Sequence, residues 1–388
     1  MVSTSSPSAV SILEVISKQR LGFKFGKPDR PSEKSLACIL PILRETSVQR
    51  QYITLPETEE VLITDSGTIN KINLENASKQ NVYVRSSTMF EGKGTQSRVL
   101  SRSAVLFPGK KAGLECRCIH SSHPIASGNE FKYGGVSPLD VDSSTYTSGY
   151  SRADQTQTWN AVRMYSASIT NQGDTTRTRS PLRQRLSKSA APARVLRPSS
   201  PLSTCNLTSN YNPMYSANSE PVSFASTHNT YTENSSFTGA DPYTGADNLA
   251  ANFAEFAKSF DGILSKARLH DNQCGLALIT ETGCKTIECF DVPSSWEALH
   301  KDAVKRMGTE LLRGEDKTSV FEYKPENAVA AVQKVLALDF KTNLIYQHKP
   351  SNGEPPVKIF GLDANRYTGE VVELDGRVIH MVILERAN

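Results

Sequence analysis

Gly275-Leu276-Ala277-Leu278-Ile279, a turn at Glu281-Thr282-Gly283, and Ile287-Glu288-Cys289-Phe290 read together as an apolar strand, a tight turn and a second apolar strand. The same order returns near the C-terminus, where Gly369 to Leu374 and Val378 to Leu384 flank Asp375-Gly376. Asp-Gly is a preferred pair for a two-residue hairpin turn, because both central positions need positive φ. Two such units suggest a weak internal repeat of strand-turn-strand.

Helical spacing surrounds these hairpins. Leu249, Phe253, Phe256, Phe260, Ile263 and Leu264 recur on one helix face. Ser294, with Glu297 three positions on, predicts a capped helix running to about Arg313. Glu326 to Leu336 supplies another helix and Val357 to Phe360 another strand.

From Leu36 to His120 the period is two. Short apolar runs at Ala37-Cys38-Ile39-Leu40 and Val61-Leu62-Ile63, a turn at Asp65-Ser66-Gly67, and alternation through Ile69, Ile72, Leu74, Val82 and Val84 describe a meander. Val105-Leu106-Phe107 stops at Pro108-Gly109, and Leu114, Cys116, Cys118 and His120 alternate along a last strand. The expected fold class is α+β: an antiparallel sandwich or barrel-like N-terminal part packed with a C-terminal α/β part that holds the repeated hairpins.

Between about 143 and 246 the composition turns to Ser, Thr, Asn, Tyr, Pro and Gly, too poor in aliphatics to offset its ordering entropy. A short helix is expected from Asp154 to Val162, with order lost near Ser166. The domain reading is therefore an N-terminal extension over 1–35, one composite domain from 36–165 and 247–388, and a disordered basic insert over 166–246. The extension carries an apolar pattern at Val10, Ile12, Leu13 and Ile16; an organellar transit peptide and a simple amphipathic helix both fit, and Glu14 with few arginines favours the helix.

The chain has 388 residues, a net charge of +4 and seven cysteines. An odd number of scattered cysteines fits reduced thiols, and no apolar run is long enough to span a bilayer, so a cytoplasmic location without membrane contact is expected. Arg177, Arg179, Arg183, Arg185, Lys188, Arg194 and Arg197 lie in a stretch with no acidic residue between Asp174 and Glu220, which leaves the folded remainder mildly acidic.

Several segments come in a distinctive order: Gln51 to Glu57, Gly92 to Ser103, the Pro108-Gly109 turn with Cys118 beyond it, Gln155 to Trp159, and Asn272-Gln273-Cys274-Gly275. Over about 36–165 and 247–385 this order resembles the family of ARG and rhodanese-phosphatase-superfamily-associated proteins, where ARG denotes ADP-ribosylglycohydrolase. The resemblance implies work beside enzymes of NAD and ADP-ribose metabolism and carries no established reaction. Two departures stand out. His120, Ser121, Ser122 and His123 occupy positions where the family has an acidic residue and an aromatic, and the insert before Leu249 is longer.

Five constellations have chemical content. Glu91, Lys93, Gln96, Arg98 and Arg102 with Gly92 and Gly94 place guanidinium forks beside flexible backbone amides, as a phosphate needs, although neither a Walker loop nor a dinucleotide fingerprint is completed. An ordinary solvated hairpin is the plain alternative. Gln155 and Trp159 add amide and stacking groups, so the candidate ligand-binding set is Glu91, Gly92, Gly94, Gln96, Arg98, Arg102, Gln155 and Trp159. Trp159 and Trp296 serve either as core or as a stacking face for adenine. Cys116, Cys118 and His120 point to one strand face with His123 beyond, yet side chains two apart on a strand are wide for one zinc, so neither metal nor cofactor is assigned. Cys274, Cys284 and Cys289 read as small hydrophobes, or as a nucleophile with His270 or His300.

The basic strip from Arg177 to Arg197, with Tyr211, Tyr215, Tyr231 and Tyr243 beyond it, is either a solvated tether or a hold for RNA or an acidic partner, which phosphorylation at Ser180-Pro181 or Ser200-Pro201 would weaken. Two functions follow. The first is binding or processing of an ADP-ribose-like or phosphorylated nucleotide near Glu91 to Arg102, with ADP-ribose-metabolising enzymes as partners; the alternative is a non-catalytic interaction protein using the basic strip.

Overall fold

The computed structural model describes residues 9–31, 35–120, 124–145, 154–175, 248–258, 261–312, 324–350 and 353–387. The chain opens with helix α1 (Ala9–Ser17), a short strand β1 (Phe23–Phe25) and β2 (Ala37–Arg44). A run of short strands follows: β3 (Ile53–Thr54), β4 (Val61–Asp65), β5 (Lys71–Asn76), β6 (Val82–Val84), β7 (Thr88–Gly92), β8 (Arg98–Leu100), β9 (Ala104–Leu106), β10 (Lys111–Cys118) and β11 (Phe131–Val136). Helices α2 (Leu139–Thr145), α3 (Gln155–Thr175), α4 (Leu249–Ala257) and α5 (Asp261–Leu264) lead to the hairpin β12 (Gln273–Thr280) and β13 (Gly283–Phe290). Helices α6 (Pro293–Lys305), α7 (Gly308–Leu312) and α8 (Pro325–Leu336) precede strands β14 (Lys341–His348), β15 (Val357–Ala364), β16 (Tyr367–Leu374) and β17 (Arg377–Glu385).

The expected meander closes on itself. Six strands run in the order β11-β7-β8-β10-β5-β4, and a bridge between Thr64 and Glu130 brings the two outer strands together. Alternation sends Ile63, Ile72, Leu74, Phe90, Leu100, Leu114, Cys116 and Phe131 into one buried cluster, so the interior is packed with side chains. A small sheet in the order β3-β6-β9 lies beside it; its β3–β6 pair is parallel, an exception to the antiparallel rule.

The second sheet has eight strands in the order β1-β2-β12-β13-β17-β16-β15-β14. The two hairpins read from sequence lie side by side in it, joined where Glu288 pairs with Val382. The first strand of each hairpin carries a glycine against its own partner strand. A Cβ on Gly275 would sit 2.2 Å from the Glu288 carbonyl oxygen, and one on Gly369 would sit 2.2 Å from that of Val382. Asp375 and Gly376 both take positive φ, as the Asp-Gly turn requires.

One face of this sheet is covered by α1 and α8, with Ile12, Leu13 and Ile16 buried there. Each such side chain contributes roughly 1.5–3 kcal/mol on burial, so the N-terminal helix belongs to the core. The other face packs against the barrel layer and helices α2, α3, α4 and α6 through Leu276, Phe290, Trp296 and Val382.

Three boundaries differ from the sequence reading. The helix expected to fade near Ser166 continues to Thr175, and residues 176–247 lie outside the described residues. Val292, and not Ser294, is the N-cap of α6, because Pro293 has its φ preset for the first helical turn and needs no amide partner. That helix stops at Lys305, and α7 covers Gly308–Leu312.

Candidate functional site

β8 alternates so that Arg98 points inward with Leu100, and β4 so that Asp65 points inward with Ile63. The two charged side chains meet at one end of the barrel, Arg98 Nη2 lying 3.7 Å from Asp65 Oδ2, both fully buried. Arg98 Nη1 donates to the backbone oxygen and to Oε1 of Gln96, at 3.0 and 3.1 Å. Asp65 accepts the Thr95 hydroxyl on Oδ2 and the Gly67 amide on Oδ1. Two donors of the guanidinium, Nε and Nη2, are buried without a hydrogen-bond partner. Buried donors of a charged group that make no hydrogen bond are costly, even with the Asp65 carboxylate near Nη2.

Helix α3 covers this end. Gln155 pairs its side-chain amide with the last residue of β10, accepting from the Cys118 amide at 2.9 Å and donating to the Cys118 carbonyl at 2.7 Å. Trp159 stands one helical turn further on, half-buried, and its indole Nε1 is buried without a hydrogen-bond partner. Burial pushes the Cys118 thiol up, while the His120 backbone, Arg98 and Trp159 beside it pull the other way.

Four of the eight expected ligand residues, Gln96, Arg98, Gln155 and Trp159, are thus drawn together around Cys118. Arg98 was expected as an exposed hairpin arginine and is instead wholly buried, because the strand period turns it into the barrel. Glu91 is exposed on β7. The Gly92 amide is not free for a phosphate, since it donates to Ser97 Oγ; this glycine is required because a Cβ would lie 2.3 Å from the Thr95 oxygen. Gly94 takes φ +73° at the hairpin tip, where Asn129 Nδ2 donates to its carbonyl. Arg102 is elsewhere, half-exposed and 3.8 Å from Glu115.

The remaining expectations resolve differently. His123 and the basic strip Arg177 to Arg197 lie outside the described residues. Among the described residues no group of three or more His, Cys, Asp or Glu is poised around a metal position. His270 pairs with Asp29, and Cys274 approaches Cys289, with 3.6 Å between sulfurs. Trp296 is fully buried against Phe290 and acts as core, whereas Trp159 is not. No described helix is long and apolar enough to cross a membrane.

A second polar cluster had no forecast. Between the barrel layer and the large sheet, Arg85 holds both carboxylate oxygens of Glu288, Arg306 reaches Glu288 at 3.3 Å and Asp142 at 2.6 Å, and Ser87 donates to Asp142. Burial alone would push Glu288 up, but Arg85, the His380 hydrogen bond and Arg306 hold its carboxyl well below the usual range. His380 is pushed down by burial despite Glu288, so its ring is neutral: Nε2 donates to Glu288 at 3.2 Å and Nδ1 accepts the Tyr83 hydroxyl at 2.7 Å. Tyr83, pushed well up by burial, keeps its proton for that bond. The sequence signal was present: Glu288 and His380 interrupt otherwise apolar strands.

The family model of the ARG and Rhodanese-Phosphatase-superfamily-associated Protein domain, ARPP-1, matches residues 27–384. The chain belongs to this family. The match bears out the resemblance carried by the ordered segments, and it spans both the barrel and the eight-stranded sheet, so the ARPP-1 domain includes the Arg98 corner and the Glu288 cluster. No curated protein and no solved structure gives a significant match.

Proposed function

We propose that the chain binds an ADP-ribose-like or phosphorylated nucleotide ligand at the barrel mouth, in the cytoplasm and beside ADP-ribose-metabolising enzymes. Gln96, Arg98, Gln155 and Trp159 form the centre of the site, Glu91, Gly92 and Gly94 belong to its hairpin, and Arg102 is its outlying cation. The observation that supports this reading is buried Arg98, whose Nε and Nη2 make no hydrogen bond although Nη2 lies 3.7 Å from Asp65, next to a Trp159 indole N–H that also makes none. An incoming phosphate oxygen would satisfy the first, and the half-buried indole offers a face or an edge donor to the rest of the ligand. Barrel mouths are common ligand sites because the strands fix the floor and the loops form the rim. The family name supports the ligand class, since it ties these proteins to ADP-ribosylglycohydrolases.

Titration calorimetry with ADP-ribose tests the assignment. Arg98→Lys keeps the charge against Asp65 but loses the fork, and Trp159→Ala removes the stacking face; each is expected to weaken binding about tenfold to a hundredfold, as loss of a charge-assisted bond or aromatic contact implies. Deleting residues 176–197 should leave ADP-ribose affinity unchanged. Unaltered affinity in both point variants, or no binding by the parent, refutes the site; RNA binding that disappears with the strip would then favour the interaction reading.

A further inference from the structure

A groove of about 690 Å³ opens at the other end of the barrel layer, where the segment before β3, the turn between β5 and β6, the turn after β9 and the segment before β15 meet. Its volume lies inside the range of roughly 300–1,000 Å³ that small-molecule sites occupy. Three cations line it, Arg50, Lys79 and Lys110, and each comes from a different segment. Arg50 is held by Glu57 through two bonds, yet its Nε is buried without a hydrogen-bond partner. Lys110 reaches Glu354 at 3.1 Å, but that carboxylate is shared with His348 at 2.8 Å. Lys79 is exposed and makes no ion pair among the described residues. Glu57 answers Arg50, and Glu354, itself on the cavity lining, answers Lys110, so Lys79 is the lining cation left without an ion pair among the described residues. Phe107, Pro108 and Pro355 give the cavity an apolar wall, in which Phe107 is buried with its ring 4.8 Å from that of His348 and the prolines stand nearer the solvent.

We infer that this groove is a second site, distinct from the barrel mouth, for a ligand that joins a diphosphate to a planar base, that is, a nucleoside diphosphate. Lys79, Lys110 and Arg50 take the phosphates, and the Phe107 and proline wall takes the base. Separate occupancy follows from position. The groove lies before Lys111 at the start of β10 and the Arg98 corner lies at Cys118, its last residue, which at about 3.3 Å per residue puts them roughly 23 Å apart.

Calorimetric titration of the full chain with ADP and with inorganic pyrophosphate tests this. ADP is expected to bind, and to bind at least tenfold tighter than pyrophosphate because only ADP uses the wall. Lys79→Glu and Lys110→Glu should each weaken ADP about tenfold and together abolish measurable binding, while Lys79→Arg retains it. Lys79 is exposed and makes no ion pair among the described residues, so Lys79→Glu should keep the parent thermal midpoint; Lys110→Gln, which does not set a second carboxylate beside Glu354, is the folding control for Lys110→Glu. ADP affinity that survives the double reversal, ADP binding no tighter than pyrophosphate, or no ADP binding by the parent overturns the inference. ADP affinity lost in Arg98→Lys but kept in the lysine variants also overturns it and leaves the barrel mouth standing; the reverse pattern upholds the groove alone.

Discussion

Arg85 and Glu288 meet side-on, Nε and Nη2 of the guanidinium against the two oxygens of the carboxylate, and this contact ties the barrel layer to a central strand of the large sheet. A carboxylate that also answers Arg306 and His380 is the hub of the interlayer charges. Bidentate geometry and full burial make such a contact rigid, and removing one member strands the others in a medium that cannot solvate them.

Glu288→Ala should therefore lower the free energy of unfolding by about 3–5 kcal/mol, since both arginines lose their shared partner. Urea denaturation at neutral pH measures it. Arg102→Ala, which breaks only a half-exposed pair with Glu115, should stay within about 1 kcal/mol of the parent. Equal effects in the two variants would mean that water reaches the Glu288 cluster.

His300 gives the pH response. Burial, then the nearby charge of His270, pushes its imidazole down from 6.5 to about 4. The unfolded chain takes up a proton near pH 6.5 that the folded chain refuses until about pH 4, so stability is full above 6.5 and falls as the pH drops through that window. At about 1.4 kcal/mol per pH unit the loss approaches roughly 3 kcal/mol. His380, also pushed down by burial, acts in the same direction. Urea midpoints at pH 7, 5.5 and 4.5 should fall less steeply in His300→Gln than in the parent; parallel slopes would refute the assignment.

Within each hairpin the strand pairing leaves no room for a methyl group at Gly275 or Gly369. Replacement of either by Ala should cost about 1–3 kcal/mol through backbone displacement. Gly376→Ala meets no nearby atom but sits at φ +72°, so its cost comes from the backbone alone and should be about 1 kcal/mol. Thermal unfolding of the three variants ranks them, and a Gly275→Ala midpoint at the parent value would show that the β12–β13 pairing yields.

Where a residue's neighbours are close in sequence, the fold was legible. The hairpins at Gly275 and Gly369 announced themselves by apolar alternation and turn chemistry, and the meander by its period. Strand β14 did not, because Lys341-Thr342-Asn343-Leu344 is an exposed edge whose residues are chosen for solvent and not for a core. The site divided in the same way. Gln96 and Arg98 are two residues apart at the entry to β8, and their association was readable. That Gln155 would clasp the backbone of Cys118, or that Arg85 would find Glu288 across 203 positions, depends on layer packing that no local pattern encodes.

The Thr64–Glu130 bridge has a consequence for how the protein meets other chains. By joining the two outer strands of the six-stranded sheet at one end it shortens the open margin that would otherwise template a foreign strand, as in amyloid growth or strand exchange. The large sheet keeps two open margins, but one is the three-residue β1 and the other is β14, with a lysine and polar side chains exposed on it. Strand-to-strand capture on the large sheet is thus limited to margins that are short or polar, which discourage it.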